Sequence, residues 1–303
     1  MNNSTKNKNL YYPTIFVVMA VHNRKEITRQ CLKQLNNQTY SKLKIIIIDD
    51  GSTDGTSQMI KTQYPDIHLL HGDGSYWWSK SMNMGIDAVL KIAATNDLVL
   101  TMNDDTDFNH YFVETFYKES LRYPNSLIGS LNLIKMNIDR IFSAGGRYDL
   151  LFSNHKTNFP IGTPYNDNLI EGHLITDYLP GRGTLIPVKT FREIGYYDDE
   201  RFPQYIADEE FSFRAKLKGY NCIVSSQIKL YVDTNSTGLN FVNEKIDFKL
   251  FYKSLTAINS PNNLKSRANF AYKHSKYPLV YIIFNYCRLF IKSFIEIIFK
   301  NII

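Results

Sequence analysis

The sequence predicts an α/β fold with a mostly parallel central sheet flanked by helices, followed by a helical, partly amphipathic C-terminal appendage. Short apolar runs rich in β-branched residues alternate with helix-length amphipathic stretches from residue 14 to about residue 110. Two of these runs break off into clusters of carboxylates. Residues 236–303 lose the alternation and read as helix.

Residues 14–20 (TIFVVMA) make the first strand, and after a polar turn residues 26–36 carry apolar positions at helical spacing. The second strand, 45–48, ends in Asp49-Asp50-Gly51-Ser52-Thr53-Asp54-Gly55-Thr56 and leads into a helix reaching about residue 63. A helix over 79–94 precedes a buried strand over 97–102, which runs into Asn103-Asp104-Asp105-Thr106-Asp107, and a further helix starts near His110. Open α/β sheets bind ligands beyond the carboxyl ends of their strands, where both acidic clusters fall. From about residue 126 the pattern becomes mixed, with strands expected at 127–134, 141–144, 178–188 and 222–224 and a helix at 211–217 that closes at Gly219.

In the tail, 277–303, Leu279, Ile282, Ile283, Tyr286, Leu289, Phe290, Phe294 and Ile297 recur at helical spacing, interrupted by Arg288, Lys292 and Glu296. With no unbroken apolar stretch of about 18 residues, an interfacial helix is expected in preference to a membrane span. The alternative is a stripe that packs on the folded domain.

The 303 residues suffice for a real core, and 44% hydrophobic with 21% charged residues excludes a mainly disordered chain. A net charge of +6 favours anionic partners such as nucleotide phosphates or a membrane surface. Much of the excess lies near the ends, in Lys6, Lys8, Lys265, Arg267, Lys273, Lys276, Arg288, Lys292 and Lys300, which suits a membrane-surface tail better than a nucleic-acid groove. Cys31, Cys222 and Cys287 are far apart, so neither a zinc site nor a disulfide framework is expected and a reducing cytoplasm fits. The polar start, residues 1–13, has no apolar run, and no secretory signal is expected.

Asp49 and Asp50 leave a central strand through a turn that Gly51 and Gly55 permit; they can grip a base or ribose, or simply belong to a capped helix start. Three carboxylates within Asn103 to Asp107 repel one another unless a cation is present, and hard oxygen ligands suit Mg²⁺ or Mn²⁺. The competing reading is a solvated turn before a helix. Asp208-Glu209-Glu210 precede an amphipathic stretch, where acids favour a helix N-terminus, or where one of them acts as a general base.

Taken together and in this order, these segments resemble the family 2 glycosyltransferases. Ala20-Val21-His22-Asn23-Arg24 looks like the family's first strand end, residues 45–56 its nucleotide-binding segment, Asn103-Asp104-Asp105 its DXD element and residues 207–214 (ADEEFSFR) its ED segment. The resemblance covers residues 13–235 and implies a GT-A domain, with 236–303 as a C-terminal helical region. It further implies a nucleotide-diphosphate sugar donor, inversion at the anomeric carbon, and an acceptor hydroxyl on a glycan or lipid-linked carrier at the inner face of a bacterial membrane. By the same resemblance His22, Asn23, Arg24, Asp49, Asp50, Lys80 and Asp104 hold the donor nucleotide, Asp105 binds the metal, and Asp208 is the base. Pro180-Gly181-Arg182-Gly183 resembles the stretch before the base, placing Gly181, Arg182 and Gly183 with Glu209 and Glu210 on the acceptor side. Trp77 and Trp78, ahead of a helix bearing Asn83 and Gly85, fall in a region that lies near the donor in the family. The chain departs from the pattern at Asn103, at Ala207 where an acid is usual, and at Asp233, which stands where many relatives carry a metal-binding His.

A nucleotidyltransferase is disfavoured because no Gly-rich, Lys-bearing loop follows the first strand, and a nicotinamide enzyme because no G-x-G-x-x-G does. A non-catalytic nucleotide-sugar or glycan-binding module is the remaining alternative, since Ala207 removes a neighbour of the base.

Overall fold

The computed structural model describes residues 12–233 and 248–300, with the side chains of 154, 248 and 296–300 excepted. The polar start with Lys6 and Lys8, the expected boundary at 235–236 and the Ile297 side chain lie outside the described residues.

In chain order the elements are β1 (Ile15–Val21), α1 (Lys25–Asn36), β2 (Leu43–Asp49), α2 (Thr56–Gln63), β3 (His68–His71), α3 (Trp77–Ile92) and β4 (Leu98–Met102). There follow β5 (Thr106–Asp107), α4 (Phe112–Arg122), β6 (Ser126–Ile134), β7 (Asn137–Ser143), β8 (Gly146–Asp149), β9 (Asn154–Thr157) and β10 (His173–Ile175). The chain continues through β11 (Thr184–Pro187), α5 (Val188–Ile194), α6 (Ala207–Leu217), β12 (Asn221–Val232), α7 (Phe248–Thr256), α8 (Leu264–His274) and α9 (Pro278–Lys300).

The main sheet runs β10-β12-β6-β11-β4-β1-β2-β3, with β5 added to β12 and β7 to β6. Strands β4, β1, β2 and β3 are mutually parallel, β12 is parallel to β6, and β11 runs antiparallel between β4 and β6. The first strand is apolar throughout because both of its faces are covered. Ile15, Val17 and Met19 pack with Leu32, Ile60 and Phe116 of α1, α2 and α4. Phe16 and Val18 face the other way, into a cluster with Met82, Ile86 and Val89 of α3 and Phe211 of α6. Helix α3 lies this close because residue 85 is glycine: a Cβ there would sit 2.5 Å from Val18 and 2.6 Å from Ile48.

The α/β class with a mostly parallel centre and a helical C-terminus is as expected. The expected strand over 178–188 is mostly irregular: Tyr178 makes an isolated bridge to Gly146, a continuous strand forms at Thr184–Pro187, and Val188 already begins α5. Pro180 lacks a ladder donor and Gly183 takes φ +65°, so the segment before β11 turns instead of extending. The short strands β3, β5, β8, β9 and β10 have no clear signature in the sequence, and β7 and β12 are longer than expected.

The C-terminal helices pack on this domain. Phe270, Ala271 and Tyr281 are members of its larger core cluster. Helix α9 buries Tyr281, Asn285, Leu289 and Ser293, four positions spaced one turn apart, and exposes Leu279, Ile283, Ile291 and Phe294. Of the apolar stripe read from the sequence, Leu289 is buried, whereas Leu279, Ile283, Phe290 and Phe294 are exposed. By length and composition alone α9 is long and apolar enough to cross a membrane, so the interruptions at Arg288 and Lys292 do not exclude a span as the sequence reading supposed.

Candidate active site

The parallel strands β1, β2 and β4 deliver His22, Asp49 and Asn103 to one edge of the sheet, and antiparallel β11 begins at that same edge, with Thr184 opposite Thr101. The loop before β11 therefore meets the acidic loop after β4: Gly183 N–H donates to the Thr101 carbonyl at 2.8 Å.

The loops after β1 and β2 are bound to each other. His22 Nδ1 donates to the Asp50 carbonyl at 2.5 Å, and the Asn23 amide at 3.0 Å can then donate to the free Nε2. Asn23 Oδ1 accepts from Thr53 N at 2.7 Å. The Asp49 carboxylate accepts from Ser52 N at 2.9 Å and from the Ser57 hydroxyl. Asp50 accepts from Gly74 N at 2.9 Å, Tyr76 N at 3.0 Å and Trp77 N at 3.1 Å. Both aspartates are buried, and their oxygens are engaged in building the loop wall and the start of α3.

The two tryptophans diverge. Trp77 takes φ +57° and is 40% exposed, and Lys80 stays on the surface with its ammonium 4.0 Å from the Tyr76 ring centroid. Trp78 turns inward, where its Nε1 donates to Asn103 Oδ1 at 3.3 Å and its backbone N to Gln204 at 3.0 Å. Its ring covers Gly181 so closely that any Cβ there would drive into the indole.

Asp104 and Asp105 are both buried. Arg24 Nη1 lies between them, 3.2 Å from Asp104 Oδ1 and 3.3 Å from Asp105 Oδ2, and Thr28 Oγ1 donates to Asp104 Oδ2 at 2.8 Å. Burial raises the Asp104 carboxyl, the Arg24 charge opposes that, and Asp105 adds to it. Asp105 Oδ1 is buried with no hydrogen-bond partner among the described residues. Asp233 follows β12 directly, and its N–H donates to the Asp105 carbonyl at 3.2 Å, so the two acids share one edge. Among the described residues no group of three or more His, Cys, Asp or Glu side chains is poised to hold a metal.

Asp208 opens α6 and accepts from Gly181 N at 2.6 Å. Burial and the adjacent Glu209 push its carboxyl up to about 6. Glu209 accepts from the Tyr148 hydroxyl at 2.7 Å, with His155 Nε2 at 3.5 Å. Glu210 points away from this cluster into the core, where Arg214, Lys273 and His274 enclose it. It is placed to hold helices together, not to line the acceptor side as the sequence reading had it. Arg182 lies over the Phe142 ring, and its Nη1 is buried without a partner among the described residues. Tyr205, which no sequence signal marks, is half-buried in the loop before α6. Burial raises its phenol, Arg182 lowers it, Asp208 and Asp105 raise it, and Arg24 lowers it.

A mixed sheet of this order, with acidic loops and the start of α6 gathered at one edge, defines a nucleotide-sugar-type GT-A domain. The chain belongs to glycosyl transferase family 2, whose sequence model matches residues 16–176. It is 25% identical over 197 residues to an uncharacterized glycosyltransferase of Rickettsia bellii, covering 62% of this chain and 26% of that protein. It is 24% identical over 225 residues to the N-acetylglucosaminyl-diphospho-decaprenol L-rhamnosyltransferase of Mycobacterium tuberculosis, covering 68% and 72%. The chain spans between 15% and 35% of the length of several other curated relatives. In fold it is similar to a mannosyltransferase from Pyrobaculum calidifontis solved with GDP-Man and Mn²⁺, with a TM-score of 0.57 at 12% identity, covering 95% of this chain and 73% of that one.

Proposed function

We propose that this chain is an inverting glycosyltransferase that moves a sugar from a nucleotide-diphosphate donor to a hydroxyl of a glycan or lipid-linked acceptor in bacterial surface-polysaccharide assembly. One observation carries the chemistry. Asp105 Oδ1 and Arg182 Nη1, an acceptor and a donor, are both buried without partners among the described residues, in the loops around Asp208. Buried polar atoms are rarely left unsatisfied unless something else completes them, and a cation with a diphosphate would complete both.

Asp105 would hold Mn²⁺ or Mg²⁺, with Asp104 and Asp233 beside it; when bound, the ion supplies positive charge for the departing diphosphate. Arg182 meets phosphate charge from the opposite loop. Asp208, held by Gly181 N–H, takes the proton of the acceptor hydroxyl as that oxygen attacks the anomeric carbon, and a carboxyl near 6 is well matched to the task at neutral pH. Single displacement from the face opposite the leaving group gives inversion. His22, Asn23, Asp49 and Asp50 shape the nucleotide side, and Glu209 with Tyr148 and His155 shapes the acceptor side. We assign residues 13–235 as the catalytic domain and 236–303 as a C-terminal helical region that docks on it.

The exposed apolar face of α9 and the basic C-terminal charge support peripheral contact with the inner face of the cell membrane, and the name of the mycobacterial relative supports a lipid-linked acceptor. The test is a screen of nucleotide sugars for Mn²⁺-dependent hydrolysis and calorimetric binding. A catalyst leaks its donor to water and loses metal-dependent donor binding in Asp105→Ala; a non-catalytic module binds without hydrolysis. Donor binding that is unchanged in Asp105→Ala removes that residue from the metal seat.

A further inference from the structure

We infer that Arg24 keeps the divalent-cation seat of Asp104 and Asp105 closed until a nucleoside diphosphate arrives, so that metal and donor enter together. The inference rests on the proposed role of Asp105 as metal ligand. One guanidinium nitrogen bridges the two carboxylates at 3.2 Å and 3.3 Å, and their side chains are only 3% and 2% exposed. Two buried carboxylates alone would carry two negative charges, and Arg24 cancels one of them. A divalent ion entering the seat therefore finds half of the attraction, together with a positive neighbour in contact with the same oxygens.

The seat is held closed without being filled. Asp105 Oδ1 is buried and has no partner among the described residues, so one ligand oxygen stands ready. Arg24 is the more exposed member, at 33%, and its planar fork suits phosphate oxygens as well as carboxylates. A diphosphate approaching from solvent offers the guanidinium a second anion and offers the metal further oxygen ligands. Transfer of Arg24 from carboxylate to phosphate would open the seat at the moment the donor can fill it. No group of three or more acidic, His or Cys side chains is arranged to hold a metal among the described residues, which fits a seat that the donor must complete. The competing account is that Arg24 is a fixed strut between the start of α1 and the loop after β4.

The test uses the whole 303-residue chain and Mn²⁺ alone, with free Mn²⁺ followed by electron paramagnetic resonance, then repeated with UDP, GDP and dTDP. Arg24→Gln is expected to bind Mn²⁺ alone about tenfold more tightly than wild type, whereas Arg24→Lys, which keeps the charge, stays near wild type. A nucleoside diphosphate should then narrow the gap between wild type and Arg24→Gln. The melting temperature of Arg24→Gln should also rise more with Mn²⁺ than that of wild type, a readout that survives a destabilised variant. Equal or weaker Mn²⁺ binding by Arg24→Gln overturns the gating role. Tight binding that persists in Arg24→Gln/Asp105→Ala overturns the metal seat itself, so the two failures are told apart.

Discussion

Glu210→Gln tests whether α6, the helix that carries the proposed base, is held in place by the C-terminal helices. The Glu210 side chain is fully buried; it accepts from Arg214 Nε at 3.1 Å and Nη2 at 3.2 Å, from Lys273 at 3.0 Å and from His274 Nε2 at 3.1 Å. Arg214 lies on the same helix, whereas Lys273 and His274 come from the end of α8, so this carboxylate ties α8 to α6 two residues after Asp208. Burial on its own would raise the Glu210 carboxyl, but the His274 hydrogen bond and the Arg214 and Lys273 charges outweigh it and bring it from 4.5 down to about 2. A difference of that size corresponds to about 3 kcal/mol, at the lower end of the roughly 3–5 kcal/mol lost when one partner of a buried ion pair is removed. At about 2 cal/mol/K of unfolding entropy per residue, a chain of this length should lose about 5 °C of melting temperature. A depressed carboxyl stabilises above its unfolded value, and the contribution falls away as pH drops from 4.5 towards 2. Calorimetric melts should therefore show the variant lower near neutral pH and the gap closing across that acidic window. Melts that agree within about 1 °C near neutral pH, or a gap that widens below pH 4.5, would refute the clamp.

Asp208→Asn should keep donor affinity and lose at least about a hundredfold in transfer rate. Because burial and Glu209 hold Asp208 up to about 6, the wild-type rate should fall as pH drops through that value, and a rate that is flat there assigns the base elsewhere. Gly181→Ala places a methyl against the Trp78 ring and 3.3 Å from Asp208 Cβ. It should cost about 1–3 kcal/mol of stability and lower turnover even where folding is retained; normal melting and turnover would show that the indole moves freely. Ile283→Asp with Phe294→Asp, on the exposed face of α9, should abolish flotation with anionic liposomes while leaving the melt within about 1 °C, and undiminished flotation would remove α9 as the membrane contact.

The proposed donor half of the site was legible because its residues sit at the ends of strands that announce themselves. Runs such as residues 45–48 are apolar on every position, which marks a strand covered on both faces, and the carboxylates beyond them fall at one edge because the strands are parallel. The residue types alone did not reveal what each carboxylate does. Asp49, Asp50 and Asp105 look alike in sequence, yet the first two are occupied by Ser52, Ser57, Gly74 and Tyr76, and of the three only Asp105 keeps a buried oxygen unmatched among the described residues. Likewise Trp77 and Trp78 are adjacent letters that a positive φ at Trp77 sends in opposite directions. Thr28 was readable in principle, one helical turn after Arg24 on α1, whereas Tyr205 depends on the loop that ends with Ile206 at φ +74°, and no local pattern encodes it.

The C-terminal region was the least legible because its helical spacing specifies a stripe without saying which side faces the protein. In a soluble protein the apolar stripe normally turns inward. Helix α9 turns only Tyr281 and Leu289 of its larger apolar side chains fully inward and adds polar attachments: Asn285 donates to Ser153 Oγ at 2.7 Å, and Arg288 donates to the Ser153 carbonyl at 2.6 Å and the Phe152 carbonyl at 3.2 Å. Those contacts hold the turn between β8 and β9, whose Leu151 and Phe152 are exposed beside the outward face, with Phe152 edge-on to Phe284 at 5.3 Å. The same hairpin carries Tyr148 and His155 to Glu209, the neighbour of Asp208. The exposed apolar turn and the Tyr148–His155 pair that meets Glu209 are thus neighbours at one end of a small hairpin. On the membrane reading proposed above, an acceptor whose lipid lies in the bilayer would reach Asp208 along that hairpin. The helix would then serve to orient the acceptor as well as to anchor the enzyme.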